Sequence, residues 1–357
     1  MSKTIVVAMS GGVDSSVVAA MVHEAGHKVI GITLQLYDYG NAVQKKGACC
    51  AGQDIYDAKM VADRLGIPHY VLNYENLFRE SVIDDFADSY VRGETPLPCV
   101  RCNQSVKFKD LLKVAKELGA DSLATGHYVQ KIIKNGHSEL HAGCDPKKDQ
   151  SYFLFATTNE QLDFLEFPLG GYNKEETRKL ALKYGLEVAD KPDSQDICFV
   201  PNGDYRQIVQ KIRPNALKAG KFIHVDGFEL GEHEGIINYT VGQRRGLGIA
   251  HGTPIYVIKI DPETNTVYVG PESALIKTKF TIKDVNWLAN DVDTANLEVV
   301  AKVRSTTAGV RAKINFTPNG EIEVTLLGTE KAITPGQACV LYDNARLLGG
   351  GWIMREE

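Results

Sequence analysis

The run Ser10-Gly11-Gly12-Val13-Asp14-Ser15 follows the apolar stretch Ile5-Val6-Val7-Ala8 and precedes a helical stretch from Asp14 to Glu24. Two glycines let a strand turn tightly into a helix and bring backbone N–H groups close to an anion. The helix N-terminus adds unpaired donors and a favourable dipole. The Ser10 and Ser15 hydroxyls can donate as well. The run therefore reads as a phosphate loop, although both G-x-x-x-x-G-K-[ST] and G-x-G-x-x-G are absent; the alternative is a plain N-cap at a strand–helix turn. Thiols offer a second chemistry. Cys99-Val100-Arg101-Cys102-Asn103 lies in a loop opened by Pro96 and Pro98, ahead of a helix predicted from Ser105, and Cys198 follows Asp193-Ser194-Gln195-Asp196-Ile197. A cysteine just before a helix gains thiolate character from the dipole. Two reactive cysteines distant in sequence can meet as a persulfide carrier and a resolving partner. Cys144 and Cys339 read as small buried residues, and so, more weakly, does the pair Cys49-Cys50.

These residues must be positioned by alternating strands and helices. Strands are predicted at Ile5–Ala8, Val29–Leu36, His69–Leu72 and Ser122–Thr125. Helices are predicted at Asp14–Glu24, Asp54–Leu65, Leu77–Tyr90 and Ser105–Leu118, with Gly26, Gly66 and Gly119 as stops. This rhythm argues for an α/β domain with a parallel sheet, whose ligands bind outside the carboxyl ends of the strands. The loops after Ala8, Leu36 and Ala124 are thus the places for a site. Asn135-Gly136 marks a hairpin. From about Lys221 the pattern becomes short alternating strands, such as Ile255–Ile260, Val267–Val269, Val299–Val303, Ala312–Phe316 and Ile322–Leu326. Turns at Asp261-Pro262, Pro318-Asn319-Gly320 and Pro335-Gly336 separate them. Two small β units are expected there, the last a barrel.

The chain has 357 residues, 43% hydrophobic and 24% charged, which suits two or three soluble domains and excludes disorder, collagen and a disulfide-stapled miniature. No stretch approaches the ~20 apolar residues of a membrane span, and no export signal is read, so the seven cysteines are expected reduced and the chain cytoplasmic. A net charge of −5 argues against a non-specific nucleic-acid coat. Arg244, Arg245, Lys302, Arg304, Arg311 and Lys313 are the candidates for phosphate contacts. Residues 281–357 hold 8 Lys+Arg against 10 Asp+Glu, so RNA would be bound there by a patch and by shape. His23-Glu24-Ala25-Gly26-His27 matches H-E-x-x-H, but Gly26 ends the helix before the second histidine, so a zinc site is not expected.

The blocks SGGVDSS at 10–16, TPLPCVRCNQSVKF at 95–108, LATGHY at 123–128, DPKKDQSYFLF at 145–155, KPDSQDICF at 191–199, GEHEGIINYTVGQRRGLGI at 231–249 and PGQACVLYD at 335–343 occur in order along the whole chain. Together they resemble the tRNA-specific 2-thiouridylase family of the PP-loop ATP pyrophosphatases. The resemblance implies a PP-loop, adenine-nucleotide alpha-hydrolase-like domain over residues 1–205, a small central domain over 206–278, and a tRNA-binding C-terminal β-barrel over 279–357. It implies ATP and Mg²⁺, with Ala8, Met9, Ser10, Gly11, Gly12, Val13, Asp14 and Ser15 around the phosphates and Leu34 and Gly126 along adenine and ribose. ATP would adenylate O2 of the wobble uridine. Cys198 would carry a persulfide taken from a sulfur-relay or cysteine desulfurase protein. Cys102 would attack that persulfide, sulfur would pass to C2, a transient Cys102–Cys198 disulfide would form, and AMP and pyrophosphate would be released. The partner would be tRNA of the Lys, Glu and Gln type, met by Leu97, Pro98 and Cys99 near the base and by His127, Lys148, Asp149, Gln150, Arg304, Ser305 and Gln337. Many relatives have Asn where this chain has Leu97. Some have Asp, with an acid–base role, where it has Cys99; a thiol replaces a carboxylate poorly, so that role is not carried over. Cys99 could be a spare thiol or a metal ligand, and Cys99, Cys102 and Cys198 could together hold an iron–sulfur cluster, as in some sulfur-inserting relatives. Competing readings are another PP-loop adenylating enzyme, such as a tRNA lysidine synthetase or a small-molecule amidating enzyme, and a nucleotide- or tRNA-binding module without turnover. Paired thiols favour sulfur over nitrogen transfer.

Overall fold

The computed structural model describes residues 2–37, 51–193, 197–200, 203–295 and 297–356; Cys49-Cys50 and Ser194-Gln195-Asp196 lie outside them. The chain divides into two compact units: Met1–Val82, Cys99–Pro201 and Ala345–Leu347 in one, Ile83–Pro98, Asn202–Asn344 and Leu348–Glu357 in the other.

In the first unit, strands β1 (Thr4–Ala8), β2 (Lys28–Gln35), β3 (His69–Asn73), β4 (Ser122–Ala124) and a later two-residue strand, Leu165–Glu166, form a parallel sheet. Its order is β3-β2-β1-β4 followed by the two-residue strand. Strand β1 runs through the middle, and Val6 and Val7 are wholly buried, as a sheet covered on both faces requires. Helices α1 (Val13–Glu24) and α2 (Ala51–Leu65) pack Val17, Val18, Ala58 and Ala62 into one core with Val7, Ala124, Ala181 and Val188. The carboxyl ends of β1, β2 and β4 therefore deliver the loops that carry Ser10–Gly12, Leu36 and Thr125–His127. The turn at Asn135-Gly136 joins β5 (Val129–Lys134) to β6 (His137–Ala142), with φ of 51° and 80° at its two residues, the left-handed pair such a tight turn demands.

In the second unit, a four-stranded sheet combines Gly220–His224, Glu229–His233, Tyr256–Asp261 and Thr266–Gly270. Six further strands then close a barrel. In spatial order they are Ile276–Trp287, Ile322–Lys331, Val310–Phe316, Glu298–Lys302, Ala338–Asp343 and Arg346–Ile353, with the last pairing back onto the first. Phe280, Ile314, Val324, Leu341 and Ile353 are among the residues that fill it.

Two expectations are corrected. The helix predicted from Ser105 begins at Pro98 and continues as Pro98–Cys102, a π-helical segment Asn103–Leu111 and Leu112–Glu117. Proline at a first helical position needs no N–H partner, so Pro98 starts this helix instead of delaying it. The helix expected at Leu77–Tyr90 runs from Glu75 to Val91 with a π-helical segment at Arg79–Ile83. α1 stops at Glu24 and Gly26 takes φ of 81°; His23 is exposed, while His27 Nδ1 accepts from the Lys3 N–H, so the two histidines of the H-E-x-x-H match share no helical face.

Candidate active site

Gly11 has φ of 73°, and a Cβ there would stand 2.1 Å from the Asp54 carbonyl oxygen, so only glycine lets the loop cross the start of α2. Gly12 caps α1 in extended conformation without any side-chain hydrogen bond to the helix, which leaves the first N–H groups of α1 turned to the loop. The loop is braced internally: the Ser10 N–H donates to Ser15 Oγ (3.1 Å), and the Ser16 hydroxyl donates to the Gly12 carbonyl (2.8 Å). Ser15 is buried, and its hydroxyl is spent on this bracing; Ser10 is the exposed hydroxyl. Met9 is buried behind the loop and takes the Thr33 hydroxyl on its carbonyl (2.8 Å). Ala8 closes β1, Leu34 sits part-buried on neighbouring β2, and Val13 is buried at the start of α1. Gly126 lies against the same turn, where a Cβ would come within 2.9 Å of the Ser15 nitrogen. Gly126 and the residues from Ala8 to Ser15 thus form one braced turn with backbone donors, the chemistry a polyphosphate requires.

Asp14 is engaged by side chains distant in sequence. Lys174 Nζ lies 2.7 and 2.9 Å from its two carboxylate oxygens, and the Tyr128 hydroxyl donates to Oδ1 (2.7 Å). The carboxylate is held by a cation, so it shapes the loop.

The thiols are also electrostatic neighbours. Cys198 interacts electrostatically with Cys102 and Cys99, although nearly a hundred residues separate them, and Tyr37 hydrogen-bonds to it. Phe199 anchors that stretch: it is buried with its ring edge-on to Phe78 (5.8 Å), which in turn meets Tyr37 (6.0 Å). Cys102 is buried, whereas Cys99 and Cys198 present surface to solvent. The expectation of acidic thiols is overturned. Protein packed around the sulfurs raises all three, Cys198 up to about 12; neighbouring thiols add to the rise at Cys102 and Cys198, while Lys107 opposes it in each case and the Tyr37 hydrogen bond opposes it at Cys198. Cys99 and Cys102 lie inside the helix, not ahead of it, and loss of hydration outweighs the dipole. Cys144 is exposed, against expectation, and Cys339 is buried as expected.

The residues expected to meet RNA are mostly engaged. His127 bonds Thr125 Oγ1 through Nδ1 (2.9 Å) and meets Phe108 edge-on (5.8 Å). Burial and then Lys107 push its pKa down to about 3, so it is a neutral hydrogen-bonding group and no phosphate clamp. Lys148 pairs with Asp193 (2.6 Å). Asp149 accepts from the Gly143 and Ser151 N–H groups, and Gln150 Oε1 accepts from the Tyr128 N–H (2.9 Å), so both build their turn. Leu97 is part-buried and Pro98 buried. In the second unit, Arg304 donates to the Lys331 and Ala332 carbonyls, Gln337 Nε2 to the Thr95 carbonyl (2.9 Å), and Ser305 is exposed.

Several residues escape a reading of the sequence. Tyr128, Lys191 and Asp193 fall inside the matching blocks but carry no spacing that shows their pairing. Lys174 lies outside every block, and nothing local marks it.

The fold and this loop define a class: an adenine-nucleotide-type α/β domain of the PP-loop kind, followed by β modules. Residues 3–202 match the family model described as tRNA methyl transferase HUP domain, 206–271 the tRNA methyl transferase PRC-barrel domain, and 277–353 the aminomethyltransferase beta-barrel domain. The tRNA-specific 2-thiouridylase MnmA of Rickettsia africae (strain ESF-5) is 69% identical over 354 residues, covering 99% of this chain and 97% of its own. That of Rickettsia conorii (strain ATCC VR-613 / Malish 7) is also 69% identical, covering 99% and 96%. Among solved structures, a 4-thiouridine synthetase–RNA complex with bound ATP covers 60% of this chain and 51% of its own at 17% identity and a TM-score of 0.36, a likeness too slight to carry an argument. The chain belongs to the tRNA-specific 2-thiouridylase family and is a sulfurtransferase enzyme.

Proposed function

We propose that this enzyme thiolates C2 of the wobble uridine in tRNA of the Lys, Glu and Gln type, using ATP bound as its Mg²⁺ complex. The uridine O2 attacks the α-phosphorus of ATP and pyrophosphate leaves, which turns O2 into a leaving group on an otherwise poor electrophile. A donor protein, a sulfur relay or cysteine desulfurase, loads Cys198 as a persulfide. The Cys102 thiolate attacks the inner sulfur of that persulfide and forms the Cys102–Cys198 disulfide. The terminal sulfur leaves as sulfide, adds to C2, and AMP departs. Each turnover oxidises the two thiols to one disulfide, so a thiol reductant must reset the pair. The observation that carries this reading is the gathering of Cys102 and Cys198 in the same unit as a braced, donor-rich phosphate loop. Leu97, Pro98 and Cys99 would approach the base, and Ser305 offers a free surface group to RNA.

Magnesium would travel with the nucleotide's phosphates, since Lys174 already holds Asp14. An iron–sulfur cluster is not part of this reading. Among the described residues no group of three or more His, Cys, Asp or Glu side chains is arranged to hold a metal ion. No described helix is long and apolar enough to cross a membrane; a cytoplasmic site of action suits a tRNA substrate. We divide the chain into the catalytic domain 1–205, a central domain 206–278 and a tRNA-binding barrel 279–357.

The test is the product of ATP turnover with tRNA bearing an unmodified wobble uridine, a sulfide donor and Mg²⁺. AMP formed only with that tRNA, with 2-thiouridine found by nucleoside mass analysis, is the expected result. ADP would end the PP-loop reading, and AMP without tRNA would point to a small-molecule substrate. Cys198→Ser should leave persulfide-dependent thiolation below one-hundredth of wild type; thiolation from a persulfide donor at the wild-type rate would remove Cys198 from the scheme.

A further inference from the structure

Two cations tie the segment leading to Cys198 onto the phosphate loop. Lys191 Nζ donates to the Gly11 carbonyl (3.0 Å) and pairs with Asp54 (2.6 Å) and Asp57 (2.5 Å) of α2. Two residues on, Asp193 is gripped by Lys148 (2.6 Å), Lys174 (2.8 Å) and Arg178 (3.3 Å). Lys174 is the shared member, because the same ammonium holds both oxygens of Asp14 at 2.7 and 2.9 Å. It stands on the first turn of the helix Lys174–Lys183, which is fixed by a capping box between Asn173 and Glu176, and its side chain is only 12% exposed. One buried ammonium thus joins the second residue of α1, at the mouth of the phosphate loop, to a carboxylate five residues before the sulfur carrier.

We propose that Lys174 is a positioning residue that couples nucleotide occupancy of the phosphate loop to the freedom of Cys198, a proposal that rests on the ATP reading above. Without nucleotide, Lys174 neutralises Asp14, whose charge would otherwise repel phosphate at the helix N-terminus, and at the same time tethers Asp193. A triphosphate brings several negative charges to the loop and outbids the single charge of Asp193 for the ammonium. Asp193 then keeps Lys148 and Arg178 but loses its link through Lys174, so the stretch before Cys198 is held to the loop by Lys191 alone and Cys198 gains freedom. Coupling of this kind is reciprocal, so whatever holds the Cys198 segment in place weakens nucleotide binding by the same factor.

The experiment alkylates the full-length enzyme with iodoacetamide and follows the Cys198 peptide by mass spectrometry, with and without a non-hydrolysable ATP analogue whose binding is measured by calorimetry on the same samples. Exposed Cys144 serves as the internal reference. The analogue should speed Cys198 modification at least about fivefold, the low end of ordinary coupling between sites, and leave Cys144 unchanged. Lys174→Met and Asp193→Asn should each raise the rate without analogue and abolish the response to it, and Lys174→Arg should restore the response. Asp193→Asn keeps the test alive if Lys174→Met fails to fold. A bound analogue that leaves the Cys198 rate unchanged, or a response that survives in both variants, overturns the proposal while sparing the ATP reading. An analogue that does not bind overturns both.

Discussion

With its thiol pushed up to about 12, Cys198 waits at neutral pH as a thiol, and only a minute fraction is the nucleophilic thiolate. Its alkylation rate should therefore climb about tenfold per pH unit from pH 7 to 9, as the thiolate fraction does well below a pKa. A plateau below pH 9 in a pH–rate series would show an acidic thiol instead. The sequence singles out these cysteines and assigns the wrong sign to their acidity. The helix dipole is legible because it is local, whereas the burial that opposes it arises from packing between segments distant in sequence, which only the fold reveals. Lys174 was hidden for the same reason, since its partner Asp14 is 160 positions away. His127 gives a second residue-level expectation. Its folded pKa of about 3 lies below the unfolded value of ~6.5, so between these the unfolded chain binds a proton that the folded chain refuses. Its contribution is intact above pH ~6.5 and is lost progressively as pH falls toward 3. His127→Asn should show a smaller drop in urea midpoint between pH 7 and 5 than wild type; parallel curves would mean that His127 titrates normally.

At the scale of elements, periodicity finds the parallel sheet because its strands alternate with helices and end in glycine-bearing turns. Strands β1, β2 and β3 and helices α1 and α2 all fall within a few residues of their predicted bounds. The barrel is less legible, and its last strand, Arg346–Ile353, was not predicted. It contains Gly349-Gly350-Gly351, which propensity disfavours in a strand. Closure explains the glycines: a Cβ on Gly349 would stand 2.5 Å from the Asn286 oxygen, and one on Gly351 2.7 Å from the Lys283 oxygen, both on the strand that seals the barrel. Gly351→Val should cost about 1–3 kcal/mol, the usual penalty for overpacking, in a denaturation curve. Gly171→Ala, with open space around the new methyl, should change little. Equal midpoints for the two variants would mean that the closing strand yields more easily than its contacts imply.

For the whole molecule, the question is how a chain of net charge −5 holds a polyanion. Six cations of the β modules were singled out by sequence, and the structure spends two of them: Arg304 on the carbonyls of Lys331 and Ala332, and Arg311 on Glu298. Arg244, Arg245 and Lys313 remain exposed, with Lys302 part-buried over the Tyr342 ring at 5.4 Å. Four phosphate contacts release few counterions. At ~0.7–0.9 per neutralised charge, the slope of log K for tRNA against log salt should be about −2.8 to −3.6. Such a modest slope leaves shape and single-stranded base contacts to supply the remaining affinity, which is how RNA with an exposed anticodon is ordinarily read. Replacing Arg244 and Arg245 together by alanine should weaken binding to every tRNA alike and reduce the slope by about 1.5, without altering the proposed preference for an unmodified wobble uridine. A wild-type slope steeper than about −7 would require a broad basic footprint. An unchanged slope in the double variant would take the glycine-rich segment Gly246–Gly252 off the RNA path and leave the phosphate contacts to Lys302 and Lys313.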